Sequence, residues 1–258
     1  MAVNIERDND VAIVTMSRPE ALNAFNTEQL KALRAAVDEV AADRSIRCAI
    51  LTGEGRAFAA GADIKEMAAK SAQEALAFGN LGHGIGIAIN EAPQPWIAAV
   101  NGHALGGGCE IALACDIRLA SETATLGQPE VGLGILPGWG ATQRLTRLVG
   151  PGIASELIFT GRRLKAAEAK MLGLVNDVYP ADALMNKARE MAAAIAANSP
   201  TAVSASKRMI ALAYDGALAQ GLAREAETFA LSFGTADQRE GMAAFVEKRP
   251  AAFTGETD

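Results

Sequence analysis

Glu110 and Glu130 each sit inside a glycine-bearing frame that could aim a carboxylate into one cavity. The first frame reads Asn101-Gly102-His103-Ala104-Leu105-Gly106-Gly107-Gly108-Cys109-Glu110, and the second Gly127-Gln128-Pro129-Glu130-Val131-Gly132-Leu133-Gly134. Consecutive glycines lose the most backbone entropy on folding, so three of them imply a backbone that comes close to something. Cys109 to Cys115 is apolar apart from Glu110 and reads as a helix, which sets Gly107 and Gly108 at its N-terminus. Backbone N–H groups there lack intrahelical acceptors and the helix dipole favours negative charge. Helical side chains lean toward the N-terminus, so the Glu110 carboxyl is expected to point back at those N–H groups. Free donors beside a carboxylate suit acid–base chemistry on a substrate that develops an oxyanion. Two carboxylates in one half-buried cavity raise each other's pKa, so that one can donate a proton while the other accepts.

Other readings of these residues are weaker. Tight helix packing could explain the triple glycine, but not a glutamate on an otherwise apolar helix, which must be paired or functional. A phosphate cradle fails because both G-x-G-x-x-G and GK[ST] are absent; in Gly82-His83-Gly84-Ile85-Gly86 the place of a third glycine falls on Ile87 or Ile89. His83 and His103 are the only histidines, and no nucleophile elbow accompanies them. Both read as structural or pocket-lining, His83 being the better pocket candidate. Alone, Glu130 would pass for a loop acid.

The positioning elements follow from periodicity. Val11–Ser17, Ile46–Thr52, Trp96–Val100 and Ile117–Ala120 read as strands, and Thr27–Ala42 as a helix capped by Thr27. A second glycine stretch, Arg56 to Met67, leads from a strand into a helix headed by Asp63, and its Ala60–Ala62 turn could present another free N–H. Short strands alternating with helices indicate an α/β domain. From about Ala181 only helices are expected: Asp182–Ala197, Pro200–Tyr214, Ala217–Phe233 and Asp237–Lys248. A soft boundary is placed near residue 200, dividing a core (1–199) from a helical region (200–258). Gly79, Gly82, Gly84 and Gly86 imply either a weak helix or a place where small side chains make room.

Composition excludes several classes. A chain of 258 residues can bury a core without disulfide or metal staples. Cys48, Cys109 and Cys115 are odd in number with no metal-ligand spacing, and read as reduced, buried thiols of a cytoplasmic protein. A net charge of −6 argues against a nucleic-acid partner. No basic, apolar leader, membrane-spanning run or peroxisomal address is read in the chain.

Taken together, four stretches resemble the enoyl-CoA hydratase (crotonase) family: RAFAAGADIKEM (56–67), IAAVNGHALGGGCEIALACD (97–116), GQPEVGLGILPGWGATQRLTRLVG (127–150) and EGMAAFVEKR (240–249). The likeness runs from about Val11 to Phe253. It implies a crotonase (ClpP/crotonase-like) spiral of ββα units with an all-helical C-terminal trimerisation region, assembled as a homo-oligomer, a trimer or dimer of trimers. By the same resemblance the N–H groups of Ala62 and Gly107 form an oxyanion hole, and Glu110 and Glu130 are the hydratase glutamates. Coenzyme A contacts fall on Ala60, Ala62, Asp63 and Ile64 around the adenine and on Arg56 near the phosphates. Phe245 and Lys248 would reach the coenzyme A of a neighbouring subunit. Met67, His83, Gly86 and Trp139 would line the acyl end. The implied reaction is addition of water to a 2-trans-enoyl-CoA, as in fatty-acid β-oxidation, with no cofactor or metal because the thioester is itself the substrate. An enoyl-CoA isomerase, which can manage with one base, and a non-catalytic acyl-CoA-binding member are the alternatives. Two departures stand out: Trp139 and Ala141 replace residues that are alanine or methionine and then glycine in many hydratases. Gly84 and Gly86 stand where bulkier residues are common, implying a roomier acyl pocket.

Overall fold

The computed structural model describes residues 2–214 and 216–256. In chain order it places β1 (Val3–Asp8), β2 (Val11–Met16), α1 (Thr27–Ala42), β3 (Cys48–Gly53), β4 (Ala57–Ala59), α2 (Ile64–Met67), α3 (Ala72–Glu91), β5 (Trp96–Val100), β6 (His103–Leu105) and α4 (Gly107–Ala114). Then follow β7 (Ile117–Ser121), β8 (Thr125–Gly127), α5 (Ala141–Thr160), β9 (Arg163–Lys165), α6 (Ala166–Met171), β10 (Asp177–Tyr179), α7 (Leu184–Ala196), α8 (Pro200–Leu212), α9 (Leu218–Ser232) and α10 (Ala236–Glu247).

Two sheets are built from alternate strands of a repeating unit. The larger has the order β1-β2-β3-β5-β7-β10, parallel except for the β1–β2 hairpin; the smaller has the order β4-β6-β8-β9. In each unit the first strand (β3, β5, β7) enters the large sheet, the second (β4, β6, β8) the small one, and a helix returns the chain. Because every unit turns between its two strands, the three turns stack at one place. The 54–56, 101–102 and 122–124 turns lie along this seam, and the far ends of β4 and β6 lead into residues 60–62 and into the start of α4.

The large sheet is covered on both faces, which is why β2 reads as an uninterrupted apolar run rather than an alternating one. Ala12, Val14 and Met16 face the core shared with α1 and α3, while Val11 and Ile13 face the opposite layer with Leu184, Ala188 and Ala192 of α7. Alanines at four-residue spacing let α7 lie close to the sheet. The sequence-based strands and helices are found to within about two residues at their ends. Strands β1 and β10 and the whole small sheet are additions to that reading: β4, β6, β8, β9 and β10 have three residues each, too few to carry a periodicity, and β1 is mostly polar.

Glycines 79, 82, 84 and 86 lie within one continuous helix, α3, started by a Ser71–Glu74 capping box. Helix α5 contains one break, at Gly150 (φ 79°, ψ 161°), just before Pro151. Helix α8 is pinned to the preceding layers by Lys207, whose buried ammonium donates to the carbonyls of Ile89 and Gln94 and pairs with Asp116 at 3.0 Å. Among the described residues, no helix is long and apolar enough to cross a membrane.

Candidate active site

Each of the three consecutive glycines has its own structural cause. Gly106 takes φ 51° and ψ −126°, turning the end of β6 into the start of α4. A Cβ on Gly107 would lie 2.2 Å from the indole of Trp139, and one on Gly108 would lie 2.0 Å from the carbonyl oxygen of Ala59. Helix α4 therefore lies against β4 more closely than any other residue type permits.

The neighbouring turn is brought in by Gly61, at φ 104°, where a Cβ would meet the Leu105 oxygen at 3.0 Å and the Gly107 nitrogen at 3.7 Å. Hydrogen bonds fasten this turn to residues 22–25: Ala60 N–H to Leu22 O, Phe25 N–H to Gly61 O and Asp63 N–H to Phe25 O. Among the described residues, the N–H groups of Ala62 and Gly107 find no acceptor. Two free donors thus come from adjoining segments, one at a helix N-terminus.

Glu110 is 2% exposed. Its Oε1 accepts from the N–H of Trp139 at 2.7 Å and of Ala141 at 2.9 Å. This corrects the sequence-based expectation that the carboxyl points back at the start of its own helix. The donors are Trp139 in the turn before α5 and Ala141, the first residue of that helix, which packs on α4, and only that packing brings them within reach. Burial raises the Glu110 pKa, opposed by these two N–H groups and by the Arg144 charge.

Glu130 opens the short 3-10 turn Glu130–Leu133 and is half-buried. Burial pushes its pKa up to about 7, its own backbone N–H opposing and the Glu110 charge adding. Its carboxylate stands over Gly106, where a Cβ would lie 2.9 Å from Oε1. The buried Gln128 turns its amide nitrogen toward both Glu130 oxygens, at 3.1 and 3.3 Å. Gln128 and Arg144 both lie in the stretch that flagged Glu130, yet nothing in residue type alone marks them as partners of the glutamates.

The site can therefore offer two carboxyl groups whose burial favours a held proton, together with two unpaired amides. A family model described as enoyl-CoA hydratase/isomerase matches residues 6–256. The chain belongs to that family. It is 49% identical over 248 residues to a short-chain-enoyl-CoA hydratase of Clostridium acetobutylicum, covering 96% of this chain and 95% of the relative. It is 44% identical to a crotonyl-CoA hydratase of Syntrophomonas wolfei, with 96% of both chains covered. The crystal structure of an enoyl-CoA hydratase from Bacillus anthracis superposes with a TM-score of 0.96 at 40% identity, over 99% of this chain and 100% of that one. The two-sheet spiral described above is the crotonase fold.

Within the enoyl-CoA hydratase/isomerase family chain, the remaining sequence-derived residues fall in three groups. Ala60, Ala62 and Met67 are half-buried around the Gly61 turn and Ile64 is exposed, while Asp63 caps α2 and pairs with Arg18 at 2.9 Å. Arg56 is exposed on the β3–β4 turn. Phe245, 85% exposed, and Lys248, at the left-handed end of α10, lie on the outer surface, so core packing does not account for Phe245.

Of the acyl-end residues, His83 departs from expectation. His83 is exposed, because the inward stripe of α3 is Phe78, Gly82, Ile85, Gly86 and Ile89 and residue 83 falls off it. The glycines do not open a roomier pocket. The notch at Gly82 is filled by the Trp139 indole, and Gly86 faces the Arg144 guanidinium, 3.0 Å from where a Cβ would lie. His103 bonds Thr125 Oγ1 through Nδ1 at 2.8 Å, a link between β6 and β8. The three cysteines are free and buried, and burial pushes each thiol up to about 12. Among the described residues, no group of three or more His, Cys, Asp or Glu is placed to hold a metal. A cavity of about 730 Å³ at the C-terminal end of α4, lined by Leu113, Arg147, Lys207 and Ile210 among others, includes neither glutamate.

Proposed function

We propose that the chain is an enoyl-CoA hydratase, adding water reversibly across the double bond of a 2-trans-enoyl-CoA to give the 3-hydroxyacyl-CoA. The observation that carries this reading is the presence of two carboxyls, Glu110 and Glu130, beside the free amides of Ala62 and Gly107. Burial raises both carboxyls: Glu110 against two backbone donors and the Arg144 charge, and Glu130 up to about 7 with the Glu110 charge adding. That is the pairing water addition needs, one group to take a proton and one to give it. Isomerisation needs only one.

In this reading Glu110 takes a proton from water as its oxygen bonds to C3. The displaced π electrons move onto the thioester oxygen, and the enolate so formed is held by the Ala62 and Gly107 N–H groups. Losing one such donor typically costs about 3–4 kcal/mol. C2 then takes a proton from Glu130. The hydroxide and proton delivered sum to one water, and a proton passing from Glu110 to Glu130 resets the pair. Arg56, Ala60, Asp63 and Ile64 hold the coenzyme A, with Phe245 and Lys248 reaching a neighbouring subunit. No separate cofactor or metal takes part.

The large exposed apolar side chains of the last helices, among them Leu218, Phe229, Leu231, Phe245 and Val246, support a homo-oligomer, a trimer or dimer of trimers. Its setting is cytoplasmic fatty-acid β-oxidation. The test is the loss of enoyl-thioester absorbance on incubation with crotonyl-CoA, with the product identified by mass. Glu110→Gln and Glu130→Gln should each lower kcat by about 10²–10⁴ while coenzyme A ester binding survives. Near-normal turnover in either variant removes the two-carboxylate mechanism.

A further inference from the structure

Trp139 occupies an unusual position for a large side chain. A Cβ built on Gly82 would lie 2.2 Å from its Cδ2, and one built on Gly107 would lie 2.2 Å from its Cζ3. The indole is therefore wedged between α3 and the first residue of α4, the residue whose N–H is free. Phe25 meets it edge-on and Phe78 at a tilt, each with ring centroids 5.6 Å away. Trp139 is 5% exposed, and its own N–H is fixed to Glu110. A ring held on its faces and edges, with its backbone tethered, cannot swing aside to admit a ligand.

The position matters because of what adjoins it. With the thioester oxygen at the Ala62 and Gly107 amides and C3 beside Glu110, the carbons beyond C3 emerge next to residue 139. With glycine at 82 and 107, a small residue at 139 would leave a channel toward α3; the indole fills it instead. Gly84 and Gly86 of α3 offer no substitute. Gly86 is covered by Arg144, and Gly84 faces Arg34, 3.2 Å from where a Cβ would lie.

We propose that Trp139 determines specificity: its indole is the end wall of the acyl site and restricts the protein to short 2-enoyl thioesters, on the order of four to six carbons. This rests on the reading of the site as one that takes enoyl-CoA. A long acyl chain must displace a packed aromatic ring, whereas a crotonyl group stops short of it.

The test compares kcat/KM for 2-enoyl-CoAs of four, six, eight and ten carbons in the wild type, Trp139→Ala and Trp139→Phe. Calorimetry measures butyryl-CoA and octanoyl-CoA binding in parallel. The wild-type kcat/KM should fall about tenfold or more from four to eight carbons. Trp139→Ala should raise the eight-to-four ratio about tenfold or more, and Trp139→Phe should raise it less. The ratio cancels any loss of turnover common to all substrates, such as a disturbed Glu110 would cause. Should Trp139→Ala fail to fold, Trp139→Phe, which keeps a ring against Phe25 and Phe78, carries the comparison. An unchanged ratio in the folded variants, or a wild type indifferent to chain length, overturns the proposal and leaves the hydratase reading standing. Length-selective binding relaxed at residue 139, without hydration of any substrate, does the reverse.

Discussion

Gly106 and Glu130 are in mutual contact: a Cβ on the glycine would lie 2.9 Å from Oε1 of the glutamate. The residue that turns β6 into α4 is therefore also the floor beneath the second carboxylate. One backbone geometry sets both the free amide at 107 and the place of the acid.

Replacing Gly106 by alanine should thus damage activity more than stability. The φ of 51° is strained for any other residue, costing about 1–2 kcal/mol. The added methyl also pushes Glu130 aside, and a displacement approaching 1 Å can cost about 10²-fold in rate. Thermal melts and kcat on crotonyl-CoA, measured together, would show the disproportion.

Ala141→Pro isolates one donor to Glu110. Residue 141 is the first residue of α5, a position where proline is tolerated because its N–H has no intrahelical partner. Its N–H serves Glu110 instead, at 2.9 Å. Residue 141 is fully buried and Gly140 lies at ψ 3°, so the ring also costs stability; the melting temperature is read beside a kcat expected to fall about tenfold or more as the Glu110 anion loses a donor. An unaltered kcat would show that this hydrogen bond does not tune the glutamate.

The raised Glu130 predicts opposite consequences for rate and stability. Its folded pKa of about 7 exceeds the ordinary 4.5, so the folded protein holds a proton that the unfolded chain releases. That stabilising contribution is complete below about 4.5 and is lost as pH rises through 7. The drop in unfolding free energy from pH 5 to pH 8 should therefore be about 2 kcal/mol smaller in Glu130→Gln, after allowance for partial exposure. Hydration by the wild type should decline above about pH 7 as the acid ionises, with apparent constants that belong to the pair. Denaturant titrations at the two pH values and a pH–rate profile check both signs.

Lys207→Met should destabilise without touching the chemistry. It leaves Asp116 and two carbonyls without their buried partner, at a cost of about 2–4 kcal/mol. The melting temperature should fall while KM for crotonyl-CoA holds; a variant as stable as wild type would show that α8 is held by its apolar contacts alone.

Much of this protein was legible along the chain, because the signals are local. Strands buried on both faces, such as Val11–Met16, read as apolar runs, and α1 and the last four helices announce themselves by apolar period, although the cap expected at Thr27 falls on Asn26. The glycine frames around Glu110 and Glu130 mark a backbone drawn close to something, and their combination carries the family. What the tertiary structure decided lies between segments far apart in sequence. The small sheet exists only because β4, β6 and β8 meet across successive units. Glu110 finds its donors about thirty residues away, at Trp139 and Ala141. His83 faces outward because packing chose which stripe of α3 to bury. Gly82 and Gly86 of that helix make room, as their type suggests, and the space is taken by Trp139 and Arg144. Residue type tells where a side chain is missing; only the packed fold tells what comes to fill the space.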